Sequence, residues 1–586
     1  MIVSMKKLLV FGTENNRKAI LEKLQEIGVV HVVPASQEEL KGHVDTLEQQ
    51  EQVARAISIL GSFPDKKESV ENLPENTVND IVSWHNTIQK YQEEQNELNK
   101  RKEALSMWGA FSTSEWDELQ KHGVHLQFVK VSLKQLSQLD SGRIAYKKQI
   151  GKDVFAAVLS HKEQYELPDC AQLLPIKKGT VELDREIQEL QQKQDELSTK
   201  LQQAVVYLPL LQKQQQALQN EQMFCAVESQ LLCEQDVFAL KGYIPEKQVE
   251  TLQKEMQSVT AGIMVEEVDG EDDPPTLIQN PKWVQSVVDL VKLYASPGYK
   301  EWDTSSSIYL AFTIFFAMIV GDAGYGCILL AIMLGLTGKL KSSEAGQRVY
   351  RLMLTLSIGC IVFGAISGNW FAIQMSEDNP LKQFQILGTS KSEEQNLNNM
   401  MMLSVYVGAV HLSCARLIQI IRVFPSVFWI NQLGWLIMMW GAIAKILWQN
   451  DAGLTALLVG AVLAVLFASD HRNIFMRFLL GLLDLLGITQ NFADILSYLR
   501  LFALGLASTV MAKIFNDLGM QVRDVSPTFG PVLMVLVIFM GHTINIVLAV
   551  MGGFIHGLRL NFLEFYRYCF EGTGYDYKPF AKKAQV

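Results

Sequence analysis

Hydrophobic and polar positions divide the chain into two unlike halves. Up to about residue 300, apolar residues recur within text rich in Glu, Gln and Lys, whereas long uncharged blocks follow at 352–376, 395–415 and 525–558. A helix needs roughly 20 mostly apolar residues to cross a bilayer. The opening MIVSMKKLLVFG has too short an apolar core for a secretory signal. The pattern therefore predicts a cytosolic domain over 1–300 and an integral membrane domain over 301–586.

Short apolar runs in the first half predict small α/β modules. Leu8–Phe11, a helical stretch around Leu21 and a second run at Val29–Val33 indicate a β-α-β opening. Strand-like runs recur within 124–172 and 223–267. We expect one module at each end of the helical region between them, followed by a linker at DGEDDPP, which is rich in turn-forming residues.

Narrow apolar stripes between these modules predict a helical rod. One stripe keeps three- and four-residue spacing and comprises Ile81, Trp84, Ile88, Tyr91, Leu98 and Leu105. A shorter stripe precedes it in the chain and comprises Leu40, Val44, Leu47 and Ile57. A strip this narrow needs a partner helix. The Gln-rich segment 182–222 repeats apolar residues at heptad spacing until Pro209. We predict a long antiparallel coiled coil from 36–107 and 182–222, bent at Pro209, with a compact helical bundle as the alternative.

Seven apolar segments make up the second half. They lie at about 308–337, 351–374, 399–422, 426–448, 453–469, 488–518 and 529–568. In the first segment, Gly321, Gly324 and Gly326 surround Asp322 and break a helix more naturally than they continue it. A hairpin there also places most loop Lys and Arg residues on the cytosolic side. The prediction is a mostly α protein with about eight membrane helices, the last two long and tilted, and a cytosolic C-terminus.

Composition and missing motifs argue against several classes of binding site. The formal net charge is −10, and no basic stripe interleaved with aromatic residues indicates nucleic-acid binding. The seven cysteines form no C-x-x-C pair and have no His at ligand spacing, so we interpret them as reduced packing residues. Glycine-rich nucleotide-binding motifs are also missing from the sequence. We therefore expect no cofactor and no metal site.

Arg500 is the most unusual residue of the membrane half. It lies in SYLRLFALGLA, and an arginine at the centre of a bilayer costs about 2.5 to 3.5 kcal/mol on the insertion scale. Asp484 and Asp494 precede it but fall off its helical face at 100° per residue. Its own face carries Ser497 and small or apolar residues, so we expect its carboxylate partner to lie outside the chain.

A second cation, Arg559, occurs in the last segment with His556 one turn before it. From the predicted topology, Arg500 lies about 12 residues and Arg559 about nine from the cytosolic end of its helix. With 1.5 Å rise per residue, both lie at similar depths.

The motifs SYLRLFALGLA, HGLRLNFLEFYRYCFEGTGYDYKPF and GDAGYG resemble those of the membrane subunit of V-type rotary ATPases, called subunit a, or subunit I in bacteria and archaea. The likeness extends over nearly the whole chain. It implies a non-catalytic stator subunit that forms H⁺ or Na⁺ half-channels and anchors the peripheral stalk. By that resemblance Arg500 corresponds to the arginine that faces the ion-binding carboxylate of a rotating proteolipid ring, and Arg559 to its companion.

The resemblance also implies partners and a location. The partners are the proteolipid ring of c or K type, peripheral-stalk subunits of E/G type, a central-stalk cap subunit of d/C type, the soluble ATPase sector and membrane lipid. The location is a bacterial plasma membrane, with the N-terminal domain in the cytosol.

The candidate site residues fall into two sets. The turn motif comprises Gly321, Asp322, Gly324 and Gly326. The candidate ion-translocation residues are Arg500, Arg559, Ser497, Ser508, His556, Glu564, His542 and Asn545.

Two positions depart from the family pattern. Some relatives carry a glutamate in the last helix where this chain has His542, Thr543 and Asn545, and many have an acid where it has Asn369. His542 is as consistent with core packing as with a channel, and the sequence does not distinguish H⁺ from Na⁺.

The sequence leaves two alternatives to the stator hypothesis. A stand-alone secondary transporter with a regulatory coiled coil predicts an internal repeat, and we find no convincing one. A membrane-anchored scaffold would have no use for Arg500.

Overall fold

The computed structural model describes most of the chain: residues 1–33, 44–64, 70, 72–133, 139, 143–150, 153–161, 171–174, 176, 178–234, 236–270, 272–373, 379–387, 389, 392–469 and 474–582. The predictions for Leu40, for Cys170 and for residues 36–43 of the rod lie outside this range. The other six cysteines are free thiols.

The described residues are mostly helical, with nine strands. The strands are β1 Met5–Thr13, β2 His31–Val32, β3 Val124–Ser132, β4 Ile144–Ile150, β5 Asp153–His161, β6 Gln172–Leu173, β7 Leu232–Glu234, β8 Val237–Pro245 and β9 Gly262–Glu266.

In the described part of the chain, eight α-helices precede the apolar half. They are α1 Arg17–Ile27, α2 Val44–Leu60, α3 Thr77–Leu105, α4 Thr113–Lys121, α5 Thr180–Ala204, α6 Leu208–Glu228, α7 Val249–Met256 and α8 Gln285–Tyr294.

The helices of the apolar half follow. They are α9 Ser305–Val320, α10 Ala323–Gly335, α11 Thr337–Leu340, α12 Glu344–Ser367, α13 Glu393–Val423, α14 Phe428–Leu447, α15 Asp451–Leu466, α16 Ile474–Leu485, α17 Ile488–Ser497, α18 Leu499–Arg523, α19 Gly530–Arg559 and α20 Tyr566–Cys569.

By compactness the chain forms two units. One comprises Met1–Asn16, Val29–Val33 and Gln235–Pro579, and the other comprises Arg17–Gly28, Pro34–Glu234 and Phe580–Val586. The division at residue 300 into cytosolic and membrane domains stays a prediction, because compactness does not report on a membrane.

In the second unit, α3 and α5 lie side by side and antiparallel. Gln95 donates a hydrogen bond to Gln191 at 2.7 Å, and Lys102 pairs with Asp184 at 2.5 Å, so residue numbers rise on one helix as they fall on the other. As predicted, the second arm is interrupted next to Pro209: a short 3₁₀ turn at Val205–Tyr207 follows α5, and α6 begins at Leu208 with Pro209 in its first turn. A buried apolar cluster lies at this junction: Ala56, Ile59, Leu60, Ile81, Leu201, Ala204, Val205 and Leu211.

The predicted module within 124–172 is a four-stranded antiparallel sheet with strand order β4-β5-β3-β6. Alternate residues of β3 and β5, including Val129, Val131, Ala156 and Val158, form its core. The segment that precedes α4 is fastened to the start of α5, because the Thr180 hydroxyl accepts a hydrogen bond from the backbone NH of Phe111 at 3.0 Å.

The predicted β-α-β opening is present as β1, α1 and β2, but its two strands are not neighbours. In the first unit β8 lies between them and is antiparallel to both. The fourth strand, β9, pairs with the other edge of β1. The run within 223–267 therefore completes the sheet that the N-terminal residues begin.

Within the described residues, five helical stretches are long and apolar enough to cross a membrane: Glu344–Ser367, Glu393–Val423, Phe428–Leu447, Phe475–Arg523 and Gly530–Cys569. The broken pair α9 and α10 would make a sixth if it forms one span. Asp451–Leu466 is a shorter apolar helix. The predicted last two helices are present and long, while the count of eight crossings and the tilt stay predictions.

The predicted turn at GDAGYG is confirmed, because α9 and α10 are separate helices that differ in direction by 119°. Gly321 ends α9 at φ 62°, a left-handed conformation that favours glycine. Asp322 caps α10 by accepting a hydrogen bond from the NH of Tyr325 at 3.1 Å. Gly324 leaves room for a neighbour, because an added Cβ would lie 2.3 Å from the ring of Phe371.

Contacts place both ends of this broken pair at one end of the bundle. Arg348, after α10, pairs with Asp289, before α9, at 2.7 Å. Arg422 at the end of α13 pairs with Glu571 at 2.8 Å, and the NH of Glu571 donates to Glu301, which also precedes α9. A single straight helix through 305–335 would put the residues before and after it at opposite ends.

The segment after α20 fastens the last helix to the N-terminal sheet within the same unit. The backbone NH of Lys578 donates to Nδ1 of His31 at 2.9 Å, and the hydroxyl of Tyr577 donates to the carbonyl of Val29. Burial lowers the pKa of His31, which keeps the imidazole neutral and able to accept. The GTGYDYKPF motif thus serves as a structural tether here.

Candidate functional site

A break in the helix positions Arg500. α17 ends at Ser497 and α18 begins at Leu499, and the NH of Leu501 bonds to the carbonyl of Tyr498 instead of that of Ser497. The Ser497 carbonyl accepts from Nε of Arg500 at 3.1 Å. Tyr498 is fully buried, and its hydroxyl contacts Nδ1 of His411 at 2.8 Å. The SYLRL sequence therefore forms a tightened helical turn that positions the guanidinium.

A carboxylate from the last helix meets this guanidinium. Nη2 of Arg500 donates to Oε1 of Glu564 at 2.8 Å. Glu564 lies in a π-helical segment, Leu560–Phe565, between α19 and α20, and such wide turns are frequent at functional sites. The expectation that the partner of Arg500 lies outside the chain is therefore wrong in this structure. A comparison of faces on one helix missed an acid that lies 64 residues away.

The two members of this pair differ in exposure. The side chain of Glu564 is 5% exposed and that of Arg500 is 26% exposed. Nη1 of Arg500 has no hydrogen-bond partner among the described residues. One edge of the guanidinium is thus open while the other is held by Ser497 and Glu564.

Arg559 and His556 precede the π segment on α19. Arg559 is exposed and forms no ion pair within the described part of the chain. Nδ1 of His556 is buried without a partner in the same part. The predicted companion cation is therefore on the helix that supplies Glu564, and it is less buried than Arg500.

A second ion pair joins the same two chain segments with its charges reversed. Asp494 of α17 binds Nη1 of Arg567 through both oxygens, at 2.8 and 3.0 Å. It also accepts from Gln490 at 2.9 Å and from the hydroxyl of Tyr568. The prediction that Asp494 does not face Arg500 is confirmed. These two pairs fix the α17–α18 segment against the last helix.

A buried arginine that the sequence analysis did not single out lies beside this pair. Arg416 of α13 donates to Gln432 at 2.5 Å and to Asn491 at 2.9 Å. Its guanidinium stacks on Tyr568 at 4.1 Å and on Trp435 at 5.3 Å. The amide side chains of Gln432 and Asn491 could have indicated a buried polar site here, because burying an amide in an apolar segment costs free energy unless it is hydrogen-bonded.

A separate polar group surrounds His542. Its Nδ1 contacts the hydroxyl of Tyr325 at 2.7 Å, and its Nε2 contacts Oδ1 of Asn516 at 2.9 Å. Asn545 donates to the Tyr325 hydroxyl at 2.9 Å and to the carbonyl of Ser508 at 2.8 Å. Because both ring nitrogens have partners, the geometry favours the packing interpretation of His542. Ser508, His542 and Asn545 thus form one group with the turn motif, apart from Arg500.

A cavity of about 260 Å³ lies along α18, beyond Arg500 in chain direction. Its wall includes Leu501, Gly505 and Thr509 of α18, and polar side chains from other segments: Ser367, Asn369, Gln385, Glu393, Asn396 and Ser404. Asn369 bridges two elements of the wall, since it donates to the carbonyl of Gly321 at 2.9 Å and to the Thr509 hydroxyl at 3.0 Å. The cavity leads from the start of α13 toward the level of Arg500.

Comparison with known proteins identifies the family. The sequence profile of the V-type ATPase 116kDa subunit family matches residues 15–357 and 487–582, which together are well over half of the chain. The chain belongs to this family. The matched ranges include the turn motif, both candidate arginines and Glu564, whereas Asn369, Glu393 and Arg416 fall between them.

Individual relatives of the 116kDa subunit family agree with this assignment. V-type ATP synthase subunit I of Borreliella burgdorferi is 27% identical over 99% of this chain and 100% of its own length. A-type ATP synthase subunit I of Methanocaldococcus jannaschii is 24% identical over 58% of this chain and 55% of its own length.

A solved structure was also found. The crystal structure of the cytoplasmic N-terminal domain of subunit I, homolog of subunit a, of V-ATPase aligns with 44% of this chain and 99% of that domain, at 13% identity and a TM-score of 0.21. At that score the alignment does not establish a shared fold.

Proposed function

We propose that this chain is the non-catalytic stator subunit of a V/A-type rotary ATPase or ATP synthase, which forms H⁺ or Na⁺ half-channels against a proteolipid ring and anchors the peripheral stalk. The observation that carries the proposal is Arg500, a guanidinium in an apolar helix that Ser497 and Glu564 hold on one edge and that is open on the other. Relatives named V-type and A-type ATP synthase subunit I support it.

The surface around Arg500 favours the close approach of another helix. Ala503 and Ala507, on its face of α18, are exposed, and small residues let helix backbones approach closely in lipid. The most apolar stretch of the last span is only 17% buried, against 33 to 44% for the other four candidate spans. We assign this open face to the rotor ring.

A fixed cation at this position promotes release of the ion from a ring carboxylate. A carboxylate facing lipid has to be protonated or ion-bound, because a bare charge there is expensive. Beside Arg500 the ionised form is stabilised, so the ion leaves. The guanidinium does not surrender its own proton. It therefore blocks a direct leak between the two half-channels, and the ion travels by rotation.

The cavity along α18 fits the outer half-channel. It carries polar side chains from Glu393 to Thr509 and reaches Leu501, next to Arg500. The residues Ser497, Ser508, His556, His542, Asn545 and Arg559 stay proposed contributors to the translocation path. Of these, His542 and Asn545 are hydrogen-bonded to other side chains of the bundle, which favours a supporting role.

Thiol labelling tests this half-channel. In a background with the natural cysteines replaced by alanine, Thr509→Cys should react with a charged methanethiosulfonate added from the outside, and the reaction should slow ion uptake. The reagent attacks the thiolate, which forms in water and not in hydrocarbon. Val510→Cys is the matched control, because Val510 is 45% exposed on the apolar surface and should stay unmodified. Equal reactivity at both positions would contradict the assignment of the cavity.

The antiparallel helices of the second unit fit a stator arm. We assign the predicted coiled coil and the two sheets to attachment of E/G-type peripheral-stalk subunits, and the cytosolic region also to the d/C-type cap and the soluble sector. The eight-helix topology with a cytosolic N-terminal domain and C-terminus, in a bacterial plasma membrane, belongs to the same proposal.

Co-purification separates this proposal from a stand-alone secondary transporter. A tagged chain, solubilised in mild detergent, should bring a ring of small proteolipids and nucleotide-binding subunits in fixed ratio. The stator role depends on that assembly, whereas a transporter would be complete alone. Isolation of the chain without these subunits, together with ion transport after its reconstitution alone, would refute the proposal.

A further inference from the structure

Glu564 and Asp494 are two buried carboxylates on the same pair of chain segments, but their surroundings differ. Asp494 is saturated: both oxygens bind Arg567, and Gln490 and Tyr568 donate to it as well. Glu564 uses Oε1 for Arg500, while Oε2 is buried without a partner in the described part of the chain. A carboxylate with one unsatisfied oxygen is held less firmly than a saturated one.

The charge of Arg500 is therefore already balanced when the rotor is absent. Glu564 lies 2.8 Å from Nη2, so an arriving carboxylate meets a neutral pair with one open edge, Nη1, instead of a bare cation. An isolated cation would attract that carboxylate more strongly and hold it longer. The Arg500–Glu564 pair therefore attracts the ring carboxylate strongly enough to release its ion, but weakly enough for the carboxylate to leave Arg500 afterwards.

We propose that Glu564 is a positioning residue that competes with the ring carboxylate for Arg500 and thereby speeds its release and reloading. This inference rests on the proposed function of Arg500. When the ring carboxylate binds Nη1, Arg500 shares its charge between two acceptors. When that carboxylate takes up its next ion, Glu564 and the Ser497 carbonyl keep the guanidinium in place.

The test is ATP-driven ion uptake by vesicles containing the complete complex, measured as a function of ion activity on the loading side. Glu564→Gln removes the competing charge and leaves a similar shape. The uncompensated Arg500 should lower the affinity of the ring carboxylate for its ion, so the half-saturating ion activity should rise roughly tenfold. Glu564→Asp keeps a charge at a shorter reach and should shift it in the same direction by a smaller factor, about two- to threefold.

Asp494→Asn is the matched control. It neutralises the neighbouring buried carboxylate and is expected to lower the amount of assembled complex without changing the half-saturating ion activity of what assembles. A purely structural role for Glu564 predicts that same behaviour for Glu564→Gln. If that variant does not assemble, Glu564→Asp decides by the same criterion.

A parallel Arg500→Ala arm separates this inference from the proposed function. Loss of uptake in Arg500→Ala with an unshifted half-saturating activity in both Glu564 variants would overturn the role of Glu564 alone. Uptake near the wild-type rate in Arg500→Ala would overturn the ring-facing role on which the inference rests. A raised half-saturating activity in Glu564→Gln, with none in Asp494→Asn, supports it.

Discussion

ATP-driven ion uptake should fall to background when Arg500 is replaced by alanine or glutamine. Without a fixed cation, nothing stabilises the ionised ring carboxylate at the stator, and nothing separates the two half-channels. The measurement is ion uptake into vesicles, normalised to the assembled subunit. Arg559→Ala is the matched control and should reduce uptake only partly, because Arg559 is exposed and has no ion pair within the described residues.

Arg500→Lys should also fail or nearly fail. The guanidinium reaches the Ser497 carbonyl through Nε and Glu564 through Nη2 at the same time. A single ammonium cannot reproduce that fork, and in an apolar setting it sheds its proton. Ion uptake by the Arg500→Lys complex at close to the wild-type rate would show that a positive charge alone is sufficient at this position.

The ion pair changes one expectation derived from the sequence. From the sequence alone, in which Arg500 has no partner, one expects Arg500→Ala to leave assembly nearly intact, because losing a costly unpaired cation does not destabilise a helix in lipid. The structure shows that its removal leaves Glu564 buried without its partner, and breaking a buried pair in this way destabilises a protein by roughly 3 kcal/mol. We therefore expect Arg500→Ala to lower the assembled fraction, and the double variant Arg500→Ala/Glu564→Gln to restore it without restoring uptake.

Truncation of the helical rod should uncouple the complex. Replacing residues 61–204 by a short Gly-Ser linker joins α2 to α6 where Leu60 and Val205 already share a buried cluster. The variant keeps the membrane half but loses α3, α5 and the four-stranded sheet. With the proposed stator arm gone, the soluble sector would turn with the rotor. ATP hydrolysis should persist while ion uptake per ATP falls towards background.

The same linker inserted between Gly109 and Ala110, which are exposed, is the control for that truncation. It leaves α3 and α5 paired, so coupling should survive. The two rates to compare are ATP hydrolysis and ion uptake in the same vesicles. If the truncated form took up as many ions per ATP as the wild type, the rod would not act as part of the stator.

Local patterns in the sequence were sufficient to locate most elements. Periodic apolar spacing predicted helices where α3 and α5 lie side by side, and Pro209 marked the break between α5 and α6. The glycines around Asp322 identified the turn because a left-handed residue and a helix cap have clear sequence preferences. The cost of a charge in an apolar segment singled out Arg500.

What the sequence did not predict depends on contacts between distant segments. β8 lies between β1 and β2, and no local pattern reports that pairing. The Arg500–Glu564 pair involves a tightened turn at Tyr498 and a π segment at Leu560–Phe565. Both change the direction of a side chain relative to a regular helix of 3.6 residues per turn, so a regular helical projection cannot find them.

The most direct test of the central claim, that Arg500 faces the ion-carrying carboxylates of a rotor, is ion uptake by the assembled Arg500→Ala/Glu564→Gln complex. This variant removes both charges of the pair, so a defect in it does not arise from a stranded buried carboxylate. The account predicts an assembled complex with uptake at background. Uptake at a substantial fraction of the wild-type rate would contradict it.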